Sequence, residues 1–236
     1  MSAPVLLAAG AVKTAVERLL AAPDAWQGAR PRAVFGTVGA LRDRILAGEA
    51  CDATVLSAEA MALLVARGLI DPATVAPLGV TGVGLAAGAG VAVGPIDTEA
   101  GLVAALRAAA SIAWADPASG ATAGRHFAAV LDRLGLAAAV RAKSLIVPFG
   151  VEAVAACARA EAALAVSQAT EILGMPGVRL VGLLPPPHAL ETVYVVGAPR
   201  ASAAAAAIVA TLTGPAGRAA LAAIGCNEKE PVDGHA

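Results

Sequence analysis

VLLAAGAVKTAVERLLAA, residues 5–22, sets the pattern for most of the chain. A continuous apolar run, Val5–Ala9, meets Gly10 and passes into a segment, Ala11–Ala22. That segment places Val12, Val16, Leu19 and Leu20 on one face and Lys13, Glu17 and Arg18 mostly on another. A run that is apolar at every position suits a strand buried on both faces of a parallel sheet. A 3.6-residue apolar period suits a helix lying on that sheet. The unit recurs. Ala33–Phe35, Ala53–Leu56, Ser111–Trp114, Ser144–Val147, Ala163–Val166 and Val178–Val181 read as further strands. Gly39–Ala47, Ala58–Arg67, Thr98–Ala108, Ala123–Leu134 and Val151–Ala160 read as further helices. Such alternation predicts an α/β fold built on open, mainly parallel sheets.

Two segments break the rhythm. GVTGVGLAAGAGVAV (residues 79–93) is extended and Gly-rich with no helix attached, and ETVYVVG (residues 191–197) is the other extended run without a Gly-rich turn after it. Standing on either side of about half the chain, they read as crossover strands between two lobes. The expected division is residues 1–82 plus 195–226 for one lobe, 83–194 for an inserted second, and 227–236 as a polar, frayed tail. Ala201–Leu212 and Pro215–Ile224 read as terminal helices, the second with proline at its start and Gly225 just past its end.

Composition narrows the function. The chain has 236 residues, 58% of them hydrophobic and only 15% charged, which excludes a disordered protein. Its mean hydropathy of +0.74 comes largely from alanine, and no apolar run approaches the ~18 residues that span a bilayer, so a soluble protein is expected. With a net charge of −1 and 3% aromatics there is no basic stripe with stacking rings, so nucleic acid is not an expected partner. Cys51, Cys157 and Cys226 lie far apart, share no metal-ligand spacing and read as reduced thiols, so no metal is expected. Met1-Ser2-Ala3-Pro4 has no basic n-region. The chain as written reads as cytoplasmic, or as periplasmic if it is a trimmed mature form.

In parallel α/β sheets, ligands sit beyond the carboxyl ends of strands, where helix N-termini offer unpaired N–H groups. Five turns qualify: Ala8–Lys13 around Gly10; Phe35-Gly36-Thr37-Val38-Gly39; Asp116–Gly124 ahead of Arg125 and His126; Pro148-Phe149-Gly150-Val151; and Ser167-Gln168-Ala169-Thr170-Glu171. All offer small residues, hydroxyls and few charges, the means by which compact anions are held through hydrogen bonds and helix dipoles. No GxxxxGK[ST] occurs, and the spacing of GVGLAAGAG does not fit a nucleotide fingerprint, so no cofactor is expected. His188 follows three prolines and His235 lies in the tail, and no Ser/His/Asp or Cys/His set assembles.

The order of LLAAGAVKTAVERL, FGTVGALRDRILAGEACDATVLSAEAMALLVARGLI, GVGLAAGAG, SIAWADPASGATAGRHFAAVLDRLGL, AVSQATEILGMPGVRLVGLLP and ETVYVVG resembles the molybdate-binding-protein-like group of bacterial extracellular solute-binding proteins over roughly residues 4 to 226. The resemblance implies a type II periplasmic-binding-protein fold, two α/β lobes closing on a ligand between them. It also implies an ABC transporter permease as partner if the protein is exported. Carried over, the oxyanion contacts fall on Gly10 and Ala11, Thr37 and Val38, Ser119, Gly120, Ala121 and Thr122, Gly150, and Gln168. Molybdate binders of the group carry a serine where Gly10 falls, serines around Thr37 to Gly39, and a tyrosine near Gln168. Loss of those hydroxyls, with Lys13, Arg125 and His126 close by, turns the expected ligand from molybdate toward an organic carboxylate, whose charge must be met by hydrogen bonds and a cation.

The subgroup with a Gly-Ala start and a Gln-x-x-Glu segment, here Gln168 to Glu171, also resembles aconitate isomerase. On that alternative, Lys13, His126 and Glu171 would carry the proton that shifts a double bond in an unsaturated polycarboxylate, and Arg125 would hold a carboxylate.

Overall fold

A computed structural model describes residues 3–26 and 28–228. In chain order the elements are β1 (Val5–Ala9), α1 (Lys13–Ala21), β2 (Arg32–Gly36), α2 (Val38–Leu46), β3 (Ala53–Ser57), α3 (Ala58–Ala66) and β4 (Ala76–Gly88). Then come α4 (Glu99–Ala108), β5 (Ile112–Ala115), α5 (Thr122–Arg133), α6 (Ala137–Arg141), β6 (Ser144–Val147), α7 (Gly150–Ala158), β7 (Leu164–Gln168) and α8 (Ala169–Leu173). β8 (Val178–Leu183), β9 (Glu191–Gly197), α9 (Ala203–Thr213) and α10 (Pro215–Ala222) complete the fold.

The strands join in the order β2-β1-β3-β9-β4-β7-β5-β6, with β8 also against β4. β1 lies parallel between β2 and β3, in register Leu6↔Ala33 and Leu6↔Ala53. β5 lies parallel between β6 and β7. The two parallel sets are linked by the antiparallel pair β4 and β9. β4 bonds to β9 over Ala76–Gly82 and to β7 and β8 over Val83–Gly88, so a single strand serves both lobes. This is the two-lobed fold with two crossover strands that the sequence predicts.

Each lobe has its own core. Leu6, Leu7, Leu41, Val55, Leu56 and Leu64 are sealed beneath α1–α3, α9 and α10 in the first. In the second, Trp114 and Phe127 meet edge to face with centroids 5.3 Å apart, and a smaller cluster of alanines around Val154 and Cys157 covers the other face of the sheet. Sealing one leucine from water is worth about 1.5–3 kcal/mol, so these continuous apolar strands specify their place strongly. No single described helix is long and apolar enough to cross a membrane; α9 and α10 would reach that length together but bend by 51°. Cys51, Cys157 and Cys226 are unpaired thiols.

Several elements differ from the sequence reading. α1 begins at Lys13, because Gly10–Val12 forms a tight 3-10 turn first. β4 ends at Gly88 instead of Val93, where Gly90 turns the chain with φ +75°. β8 is antiparallel to β4 and partly exposed, and β6 is the last strand of the sheet, leaving Leu145 and Ile146 open. Their apolar runs match those of buried strands, and only sheet order reveals the edge. Asn227, expected to be frayed, exchanges backbone hydrogen bonds with Val80; residues 229–236, His235 among them, lie outside the described residues.

Candidate functional site

The carboxyl ends of β1, β2 and β7 and the starts of α5 and α7 converge on a cavity of about 280 Å³ between the lobes. Local sequence explains why donors face it. α2 is capped by Thr37, whose hydroxyl accepts from the Ala40 N–H at 3.1 Å. α5 and α7 begin after Ala121 and Phe149, which offer no side-chain cap; at α7 the Val151 N–H serves Glu171, while the first N–H groups of α5 remain for a ligand. The N-terminal ends of these two helices add partial positive charge on the second-lobe side.

Of the residues expected from sequence, Gly10, Ala11, Lys13, Thr37, Val38, Ala121, Thr122, Gly150, Gln168 and Glu171 line this cavity. Four do not. Ser119 and Gly120 are engaged in holding the lobes together: the Thr37 hydroxyl donates to the Ser119 carbonyl at 2.6 Å, and the Gly39 N–H donates to the Gly120 carbonyl at 3.1 Å. Arg125 is exposed on α5 outside the cavity. His126 turns away, its Nε2 lying 2.8 Å from the His188 carbonyl, and burial holds its imidazole below the usual range. On a helix that starts at Thr122, these two side chains return to the Thr122 face but stand one turn, about 4.5–6 Å, further along the axis from the tip that faces the cavity. His188 is buried against Glu99, with Nε2 2.9 Å from the carboxylate.

The charges in the cavity are unevenly matched. Lys13 is its one cation among the described residues; Nζ sits 3.8 Å from Glu17 and 5.8 Å from the centre of the Phe35 ring. Glu152 and Glu171 are its acids. Glu171 is the third residue of α8, placed to reach back toward the Gln168 N–H at the start of that helix, as in a capping box. The Ser167 hydroxyl donates to its Oε2, and the Gln168 and Val151 N–H groups favour its ionised form, but burial outweighs them and pushes the carboxyl up. Gln168 donates from Nε2 to Thr192 at 3.2 Å, while its buried Oε1 has no partner.

Sequence reasoning missed the walls. Phe35, Phe149 and Tyr194, half of the chain's six aromatic residues, line the cavity together with Glu152. In so aromatic-poor a chain the signal was available: Phe35 and Phe149 each stand directly before a turn already marked by glycine. Tyr194 comes from β9, and burial, then Glu171 and Cys226, push its phenol far up.

A family model described as bacterial extracellular solute-binding protein matches residues 5–227. No curated protein matches the chain. Among solved structures, the periplasmic molybdate-binding protein of Azotobacter vinelandii is similar with a TM-score of 0.72 and 18% identity, covering 94% of this chain and 97% of that one. The sulfate-binding protein SubI of Mycobacterium tuberculosis gives 0.71 and 17%, covering 98% and 88%. L-phospholactate-bound PEB3, a protein of Campylobacter jejuni, gives 0.68 and 14%, covering 96% and 100%. At these identities the likeness establishes the fold.

Proposed function

The chain belongs to the bacterial extracellular solute-binding protein family, and from that premise we propose that it closes around a small organic anion bearing a carboxylate. The cavity between the lobes carries this reading. Its 280 Å³ corresponds to roughly nine waters at ~30 Å³ each, more room than four oxygens around one centre fill. Three aromatic rings and several alanines supply an apolar wall for a carbon skeleton, while Thr122, the first N–H groups of α5 and Lys13 supply the anion contacts. On this reading residues 1–82 with 195–226 move against residues 83–194 about β4 and β9, and an exported form would deliver its anion to an ABC transporter permease. Of the three candidate proton carriers for isomerisation, Lys13 and Glu171 line the cavity and His126 does not; Arg125, the candidate carboxylate clamp, also lies outside it, which favours binding over catalysis.

The deciding experiment is a thermal-shift panel with molybdate, tungstate, sulfate, citrate, fumarate and cis- and trans-aconitate. A ligand at 100 times its Kd stabilises the fold by about 2.7 kcal/mol, a readily measured rise in Tm. A shift with organic acids is the expected result. A shift with inorganic oxyanions alone would refute the carboxylate reading, and new isomer signals in NMR spectra of an aconitate mixture would make the protein an enzyme.

A further inference from the structure

Glu171 presents a carboxyl group to a cavity that is otherwise built for an anion, with no cation within ion-pair distance of it among the described residues. The chain makes room for it from both lobes. A Cβ at Gly10 would stand 2.9 Å from its Oε1, and one at Gly150 would collide with its Oε2 and with the Ser167 hydroxyl. Two glycine turns therefore close on one acid, which is a built arrangement and more than the satisfaction of a five-residue helix requires.

Beyond the Ser167 hydroxyl and the Gln168 and Val151 N–H groups, the groups around it offer no formal positive charge. Tyr194 on β9 shares the cavity wall with it, and the Tyr194 phenol feels the charges of both Glu171 and Cys226. α7 contributes Glu152 at the cavity and Cys157 in the core beneath. Lys13 is held by Glu17 and the Phe35 ring. Arg179 on β8 is exposed and donates to the Val91 carbonyl. β4 carries no titratable side chain, and β7 contributes the uncharged Ser167 and Gln168. Like charges enclosed in one site cannot both stay ionised, so a second negative charge arriving here must drive a proton onto the first.

We propose, resting on the anion-binding reading above, that Glu171 makes binding proton-coupled: as the anion enters, the Glu171 carboxylate takes one proton from solvent and its O–H donates to the anion. One anion and one proton enter together; one O–H bond forms on Glu171 and no other covalent bond changes. Burial acts on the carboxyl in the same direction as the incoming charge. The same geometry sets specificity: the ligand must place an acceptor-only oxygen at this point of the wall.

Fumarate, sulfate and molybdate keep a constant charge between pH 6.5 and 8.5 and serve as probes in isothermal titration calorimetry. For whichever binds, the Kd of the wild-type chain is expected to rise toward tenfold per pH unit. The heats in HEPES and Tris should differ by the ionisation of up to one proton per anion. Glu171→Gln, which donates without titrating, should lose both effects and bind at pH 8.5 at least as tightly as wild type. A probe that binds the wild-type chain with equal heats in both buffers and a flat pH profile overturns this inference and leaves the anion reading standing. Failure of every probe to bind, with no shift from citrate or the aconitates in the thermal panel, overturns the anion reading and this inference with it. The wild-type titrations decide the matter even if the variant does not fold.

Discussion

Replacing Gly39 with alanine separates closure of the lobes from stability of the fold. Gly39 sits in the first turn of α2, where its N–H donates to the Gly120 carbonyl across the cleft. A Cβ there would stand 2.8 Å from the Gly120 Cα and 3.0 Å from its carbonyl oxygen. Both opposing atoms are backbone, and Gly120 is fixed at φ +76° between a 3-10 turn and α5, so no side-chain rotation relieves the clash. The lobes must part locally. That breaks the Gly39–Gly120 bond and draws the Thr37 hydroxyl from the Ser119 carbonyl. At about 1 kcal/mol each, the two bonds bias closure by about 2 kcal/mol, or roughly 30-fold in Kd. In the open form the substitution is benign, since alanine is favoured over glycine inside a helix by about 0.5–1 kcal/mol. Calorimetry should therefore show about 30-fold weaker binding, with a Tm at or above that of wild type. X-ray scattering should show a larger radius of gyration. Wild-type affinity in a folded Gly39→Ala chain would refute the latch.

Glu171 gives stability a definite pH dependence. Its carboxyl lies higher in the folded chain than the ordinary ~4.3 it has unfolded, so between those values the native state binds the extra proton. Stability from this group is complete at low pH and declines as pH rises through the folded value. His126, held low by burial, makes stability rise with pH in the same window in both chains, so urea midpoints from pH 4.5 to 8 should fall more, or rise less, in wild type than in Glu171→Gln, and identical slopes would contradict the burial argument. Glu49 and Glu161, held low by Arg44 and Arg159, titrate below this window. Burial pushes the thiols of Cys51, Cys157 and Cys226 up to about 11, so at pH 8 about one in a thousand is thiolate. Iodoacetamide should label the native chain about two orders of magnitude more slowly than free cysteine, whereas rapid labelling would show an open thiol. Trp114→Ala removes the ring packed on Phe127 and the indole bond to Ser144 at 2.8 Å. A loss of about 3–5 kcal/mol in chemical denaturation is expected, and a loss under 1 kcal/mol would show that the second core collapses around the gap.

How far the site could be read from sequence follows from which interactions are local. A glycine or hydroxyl after a buried strand announces a turn beyond a sheet, and ten of the proposed residues do line the cavity, because strand ends and helix starts are fixed by neighbours in the chain. Ser119 and Gly120 also lie in such a turn, but what they meet comes from 80 residues away in α2, and no local pattern says that the meeting is with protein. Arg125 and His126 stand at the start of the helix that follows this turn, but one helical turn along the axis is enough to carry their side chains away from the cavity. Tyr194 comes from a crossover strand with no turn to mark it, and its place depends on how β9 lies between β3 and β4. Sheet order is likewise invisible in β6 and β8, whose apolar runs read as buried although they lie at margins of the sheet.

Tyr194 is the only tyrosine in the chain, and it stands in the wall of the cavity. Growth on fluorotyrosine would thus place a single fluorine label at the site without any mutation or chemical coupling. One resonance would then follow the cleft through its empty, shut and loaded states, and the number of lines and their exchange rates would give the order in which ligand arrival and domain motion occur.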